Sequence, residues 1–135
     1  VAHAYAQERH AARWQCLSAG FHEHDGRPAD PRMADIARRA GLPLDDFRST
    51  TVSDALLQQA DLILVMEQTH VDRLLARHPG LAAKVFLLGA AGALSPGETE
   101  IADPYAQAEA VYQRTFERVT HAVDAWAALA PPAGR

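Results

Sequence analysis

The chain of 135 residues holds one cysteine, Cys16, and so makes no disulfide within itself. That usage suits a reducing compartment, and a cytoplasmic location is the expectation. No block of basic residues occurs, and the net charge of −4 is spread along the chain. This excludes the usual footprint of a nucleic-acid binder or of a protein held on anionic lipid, so neither is expected as a partner. The apolar runs, such as "LILVM" at 62–66, are far short of the ~20 residues a membrane-spanning helix needs. The first residues lack the basic-then-apolar order of a signal peptide, and there is no repeat or low-complexity tract. What is present, 48% hydrophobic and 22% charged residues, is ordinary for a globular protein. A chain of this length buries roughly two-thirds of its unfolded surface. One domain over 1–130 and a short tail over 131–135 are expected.

Residues 1–12 read as an Ala-rich helix, but no Ser, Thr, Asp or Asn stands ahead of it as a cap. "WQCLSA" (14–19) reads as a strand and "GFHEHDGRPA" (20–29) as an exposed loop. In "ADPRMADIARRAG" Asp30 is placed as N-cap, Pro31 in the first turn and Gly41 as the stop, with Met33, Ile36, Ala37 and Ala40 as the apolar stripe. A short helix capped by Ser53 follows. "DLILVM" (61–66) and "KVFLLG" (84–89) are continuous apolar runs of the kind found in parallel strands buried on both faces. Between them "THVDRLLARHPG" is a helix ended by Pro79 and Gly80. A long amphipathic helix runs to about residue 129, with Val111, Tyr112, Phe116, Val119, Val123, Trp126 and Leu129 expected to be buried. Strands alternating with helices predict an α/β fold with a mainly parallel sheet. Ligands of such sheets sit at the carboxyl ends of the strands, which places the loop carrying Asp103 near a site.

"EIADPY" (100–105) is the most informative loop. Asp103 ahead of a proline and an aromatic suits a general acid beside a substrate wall, and equally a cap for the last helix with Tyr105 packed beneath it. From the tripeptide alone the cap is favoured.

"SAGF", "DPRM", "ADLILVMEQTHVDRLL", "KVFLLG" and "IADPY" follow one another in the order and spacing of the low-molecular-weight protein-tyrosine phosphatases, a resemblance that runs from Val1 to about residue 129. "VMEQTHVDRLL" most resembles the bacterial branch associated with capsule and exopolysaccharide export. The resemblance implies a three-layer sandwich with a four-stranded parallel sheet. It also implies hydrolysis of phosphotyrosine through a cysteinyl-phosphate, with neither metal nor other cofactor. On this basis Asp103 is the general acid and base and Tyr105 lines the substrate entrance. The implied partner is a phosphotyrosine protein, such as a tyrosine kinase of polysaccharide export or its targets.

The family's phosphate loop, Cys-x5-Arg-Ser, combines backbone N–H groups, a helix N-terminus and a bidentate Arg around the phosphate. The same positive surroundings depress the cysteine pKa. Six residues after Cys16 stands His22, and no helix starts there, so Cys16 reads as a small apolar residue in a strand. The resemblance places the first, central strand and the phosphate loop ahead of Val1. The expectations are therefore a sheet without its central strand, and no turnover by these residues alone.

Other candidates are weaker. His22, His24 and Asp25 match no standard zinc spacing. Glu67 and His70 are candidates for supporting the substrate pocket, set against helix capping for Glu67 and a solvated helix position for His70. In "FRSTT" Phe47 replaces the family's His and Thr50 its Arg, while Arg48 remains, which removes the basis for a site role there. Arsenate reductase, on the same fold, relays oxidation through further cysteines, and none follows Cys16. A non-catalytic, partner-binding relative is the alternative from a different class.

Overall fold

The computed structural model describes residues 1–21, 25–93 and 95–129. Five helices, α1 (Ala2–His10), α2 (Pro31–Arg39), α3 (Asp54–Gln59), α4 (Gln68–Arg77) and α5 (Glu109–Leu129), accompany two strands, β1 (Ile63–Val65) and β2 (Val85–Leu87). The strands run parallel, with Ile63 opposite Val85 and Val65 opposite Leu87.

Alternation along β1 creates the layers. Ile63 and Val65 join Leu57, Leu74, Leu81 and Val85 under α3 and α4. Leu64 and Met66 point the other way, into a cluster with Ala6, Leu88, Ile101, Val119 and Val123 that α1 and α5 close. A third cluster, Ile36, Ala37, Leu42, Leu44, Tyr112 and Phe116, sits between α2 and α5. Helices thus cover both faces of a parallel sheet, the expected α/β three-layer sandwich. Each fully buried large aliphatic or aromatic side chain contributes about 1.5–3 kcal/mol.

The helix signals act as expected where a cap is present. Asp30 accepts from the Arg32 N–H at 2.9 Å through Oδ1, and its Oδ2 accepts from the Tyr112 hydroxyl at 2.8 Å, so one carboxylate caps α2 and ties it to α5. Gly41, at φ +80°, turns the chain, and Leu42 then donates to the Ala37 carbonyl at 2.8 Å. Ser53 caps α3 by accepting from Leu56 N–H. Ahead of α1 stands Val1, whose side chain offers no acceptor.

Several expectations need correction. Residues 14–19 form no strand: Trp14 and Cys16 pack against the α1–α5 cluster, but the one ladder-type contact nearby is the parallel bridge of Gly20 with Thr51. Among the described residues no strand runs alongside it, and an extended chain without a ladder is not held straight. For the same reason β1 and β2 are three residues each and only half-covered, with Phe86 42% exposed, rather than buried on both faces. Ala40 is exposed, because the chain is already turning there and Leu42 takes the inward place. Leu129 is 71% exposed at the end of α5, beyond the reach of the sheet, while Ala122 and Ala127 fill the inward face instead. The tail expected over 131–135 lies outside the described residues.

Candidate active site

The turn at 103–107 is built by its own side chain. Asp103 Oδ1 accepts the Tyr105 N–H at 3.0 Å, an Asx turn that fixes the carboxylate to the backbone two residues on. Pro104 stiffens the turn, and Gln107 closes it by donating to the Pro104 carbonyl at 2.9 Å. Ala106 adopts φ +63°, a left-handed conformation that costs a residue with a Cβ about 1 kcal/mol. α5 begins only at Glu109, so Asp103 is not its cap. Nor does Tyr105 pack beneath it: the ring is 72% exposed. The bland reading of the tripeptide fails on geometry, and both side chains stand open to solvent on a rigid turn.

Three anchors place that turn beside the carboxyl end of β1. Ile101, 2% exposed, donates its N–H to the Met66 carbonyl at 2.9 Å. Glu100 Oε1 accepts the Gln68 N–H at 2.7 Å, supplying a backbone donor at the start of α4 with a carboxylate. Arg118, on α5, donates to the carbonyls of Glu98 (2.6 Å) and Glu100 (2.9 Å). Gly89 permits the close approach, since a Cβ there would lie 2.6 Å from the Thr99 carbonyl oxygen. Sequence reasoning missed Arg118, Glu100 and Gly89. No motif marks a residue whose role is to bond a loop's backbone.

Glu67 and His70 meet each other at the end of β1. They form a capping box, in which the Glu67 carboxylate faces the His70 N–H and His70 Nδ1 accepts the Glu67 N–H at 3.3 Å. The His70 ring lies 5.5 Å from the Phe21 ring, so it is packed rather than merely solvated. Both residues flank the turn that Ile101 and Glu100 bind. No hydrogen bond joins either of them to Asp103 among the described residues. A cleft beside Asp103 is lined by Val111, Arg114 and Thr115 of α5.

Cys16 sits half-buried against the α1–α5 cluster, and burial raises its pKa. A phosphate-loop thiolate needs the opposite shift. Phe47 packs beside Ile36 and Tyr112, and among the described residues Arg48 bonds only the carbonyls of Asp45 and Phe47, so neither supports the turn at Asp103. Asp25 accepts the Thr51 N–H at 2.6 Å, and its pKa is lowered by its hydrogen bonds with Thr51. His22 and His24 lie outside the described residues. Among the described residues no three His, Cys, Asp or Glu side chains gather as metal ligands. No helix among them is long and apolar enough to cross a membrane.

A parallel sheet between helices, with an Asp-Pro-aromatic turn hung beside its strand ends, is the arrangement of a known family of hydrolases. The family model of low molecular weight phosphotyrosine protein phosphatase matches residues 1–130, and the chain belongs to that family. It is 32% identical to the probable low molecular weight protein-tyrosine-phosphatase EpsP of Ralstonia nicotianae over 110 residues, 82% of this chain and 72% of that protein. Identity to Wzb of Escherichia coli K12, a low molecular weight protein-tyrosine-phosphatase, is 29% over 120 residues, 89% of this chain and 79% of the relative. The solved structure of Vibrio vulnificus Wzb in complex with benzylphosphonate superposes with a TM-score of 0.83 at 27% identity, covering 96% of this chain and 88% of that one. These bacterial relatives agree with the branch that "VMEQTHVDRLL" resembles.

Proposed function

We propose that these residues form the general-acid half of a phosphotyrosine phosphatase, with Asp103 as acid and base and Tyr105 as the wall for the substrate ring. The observation that carries this reading is the Asx turn, which engages Asp103 Oδ1 and leaves Oδ2 as the oxygen to carry a proton next to an exposed tyrosine ring. In the reaction a cysteine thiolate forms an S–P bond as the phenolate P–O bond breaks, and Asp103 gives its proton to the departing oxygen. Water then attacks phosphorus, passes a proton to Asp103 and releases the thiolate. Glu67 and His70 serve beside this centre by holding the start of α4. No cofactor or metal enters.

The 135 residues contain no Cys-x5-Arg, and Cys16 lacks both cradle and pKa, so it is not the nucleophile of this scheme. Likeness to EpsP and Wzb supports a phosphotyrosine protein as substrate, with a tyrosine kinase of polysaccharide export, or its targets, as the cytoplasmic partner.

Two assays test the reading. With p-nitrophenyl phosphate at mildly acid pH and without metal, the 135 residues alone should release no phosphate. Turnover abolished by Cys16→Ser would overturn this. Joined behind a strand and Cys-x5-Arg-Ser loop of the family, the chain should turn over. In that chimera Asp103→Asn should slow hydrolysis of a substrate with a poor leaving group by about 10²–10⁴-fold. An unchanged rate removes Asp103 from the role.

A further inference from the structure

One groove lies outside the acid turn. It runs along α4 and is lined by Phe21, Val52, Leu57, Leu74, Arg73 and Arg77, with a volume of about 210 Å³. That is room for a side chain or two and too little for a typical small-molecule pocket, which starts at about 300 Å³. Its rim is cationic. Arg73 lies over the Phe21 ring with its guanidinium carbon 4.5 Å from the ring centroid. Arg77 follows four residues later, on the same face of α4. Like charges at this spacing oppose each other, and the helix dipole accounts only for Arg77, in the last turn.

Among the described residues neither guanidinium has a carboxylate at ion-pair distance. Among the described residues Arg38 and Arg39 are the arginines that do form such pairs, Arg38 with Asp45 at 3.0 Å and Arg39 with Glu109 at 2.9 Å. The one carboxylate lining the groove, Asp54, is taken by His78 at 3.0 Å. An apolar floor beneath two guanidinium groups that hold no carboxylate at ion-pair distance suits an anionic side chain carried on an extended segment.

The groove also has a position relative to the candidate site. Phe21 touches Arg73 on one side and the His70 ring on the other, and His70 is bonded to Glu67 at the end of β1. At 1.5 Å per residue, Arg73 and Arg77 lie roughly 9 and 15 Å along α4 from Glu67. An extended peptide covers that in roughly three to five residues.

We propose that Arg73 and Arg77, with Phe21, form a subsite for an anionic side chain, a carboxylate or a second phosphate, placed about three to five residues from the phosphotyrosine of a polypeptide substrate. The proposal rests on the phosphatase reading for its substrate, but its test does not depend on turnover. Fluorescein-labelled peptides that differ only in carrying glutamates, glutamines or phosphoserines are titrated into the 135-residue chain by anisotropy, and amide shifts are mapped by NMR.

The glutamate and phosphoserine peptides should bind in a salt-dependent manner, shift the signals of Phe21, Arg73 and Arg77, and outcompete the glutamine peptide. The tighter of the two identifies the charge the subsite takes. Arg73→Gln with Arg77→Gln should weaken them about fivefold to tenfold, as expected for two partly screened contacts. Arg38→Gln with Arg39→Gln changes the net charge equally and should have little effect, with circular dichroism confirming that both variants fold. Equal binding of glutamate and glutamine peptides, or equal loss in both double variants, overturns the subsite. The phosphotyrosine reading is decided separately by the chimera's hydrolysis assay, so either can fail without the other.

Discussion

Two sides of the fold differ sharply. On the α5 side Leu88, Ile101 and Val119 are each 2% exposed, and α5 reaches across to bond the Leu88 carbonyl through Trp126 Nε1 at 2.7 Å. On the side of residues 14–20, Leu17 is 48% exposed, and one bridge, Gly20 with Thr51, stands in for a ladder. Composition does not separate them, since "WQCLSA" is no less apolar than many strands. The difference is neighbours: a helix meets its own backbone hydrogen bonds and needs only one apolar face covered, whereas a strand needs at least one other strand beside it.

Removing side chain from the covered flank should have the largest effect. Leu88→Ala should cost about 3–4 kcal/mol, a large part of the roughly 5–15 kcal/mol that holds a domain together, seen as a lower denaturant midpoint. A loss below about 1 kcal/mol would mean the α1–α5 cluster is looser than its burial indicates. Asp30→Ala should cost about 2 kcal/mol, because it removes the cap of α2 and strands the Tyr112 hydroxyl, a buried residue's donor, without its carboxylate.

A smaller effect is expected at Asp124, which holds α1 to α5 by accepting from Tyr5 and bonding His10, each at 2.8 Å. Burial pushes its carboxyl pKa up, but the hydrogen bonds from His10 and Tyr5 and the charges of His10 and Arg9 outweigh that, and the net shift is downward. A lowered carboxyl stabilises the fold fully above its unfolded value of about 3.9 and loses that contribution as pH falls through the folded value. Half-exposed, the group should contribute less than about 1 kcal/mol. Acid titration of the native chain against Asp124→Asn checks this, and the stability difference should shrink as pH falls below about 4. The smallest effect belongs to the open flank. Leu17→Ser should stay within about 0.5 kcal/mol of the parent, and a larger loss would mean that residues 14–20 are packed more firmly than their exposure shows.

The same contrast explains what the sequence disclosed. Asp30, Pro31 and Gly41 bounded α2 because caps and turns act locally, and Tyr112, Phe116, Val119 and Val123 marked the inward face of α5 through spacing alone. Ala40 and Leu129 were misjudged because periodicity does not say where a helix outruns the surface it packs on. The strand at 14–19 was misjudged because apolar residues become a strand only with a partner. At the candidate site, Asp103, Tyr105 and His70 were singled out through the family resemblance, since the tripeptide alone favours a cap, and Glu67 through its place at the end of an apolar run. Arg118 was not, since a guanidinium that grips Glu98 and Glu100 carbonyls has the same sequence signature as one in water.

That grip has a mechanical consequence. Arg118 and Trp126 together bind the carbonyls of Leu88, Glu98 and Glu100, so the chain between β2 and the acid turn is moored to α5 at both ends. The acid turn is geared to the helix as much as to the sheet. A substitution that slides α5 along its axis would pull on Glu98 and Glu100, and so on the neighbouring Asp103, against the bonds of Ile101 and Glu100 to the end of β1 and the start of α4. The position of Asp103 is therefore open to adjustment from the remote side of the helix, without altering a residue of the turn itself.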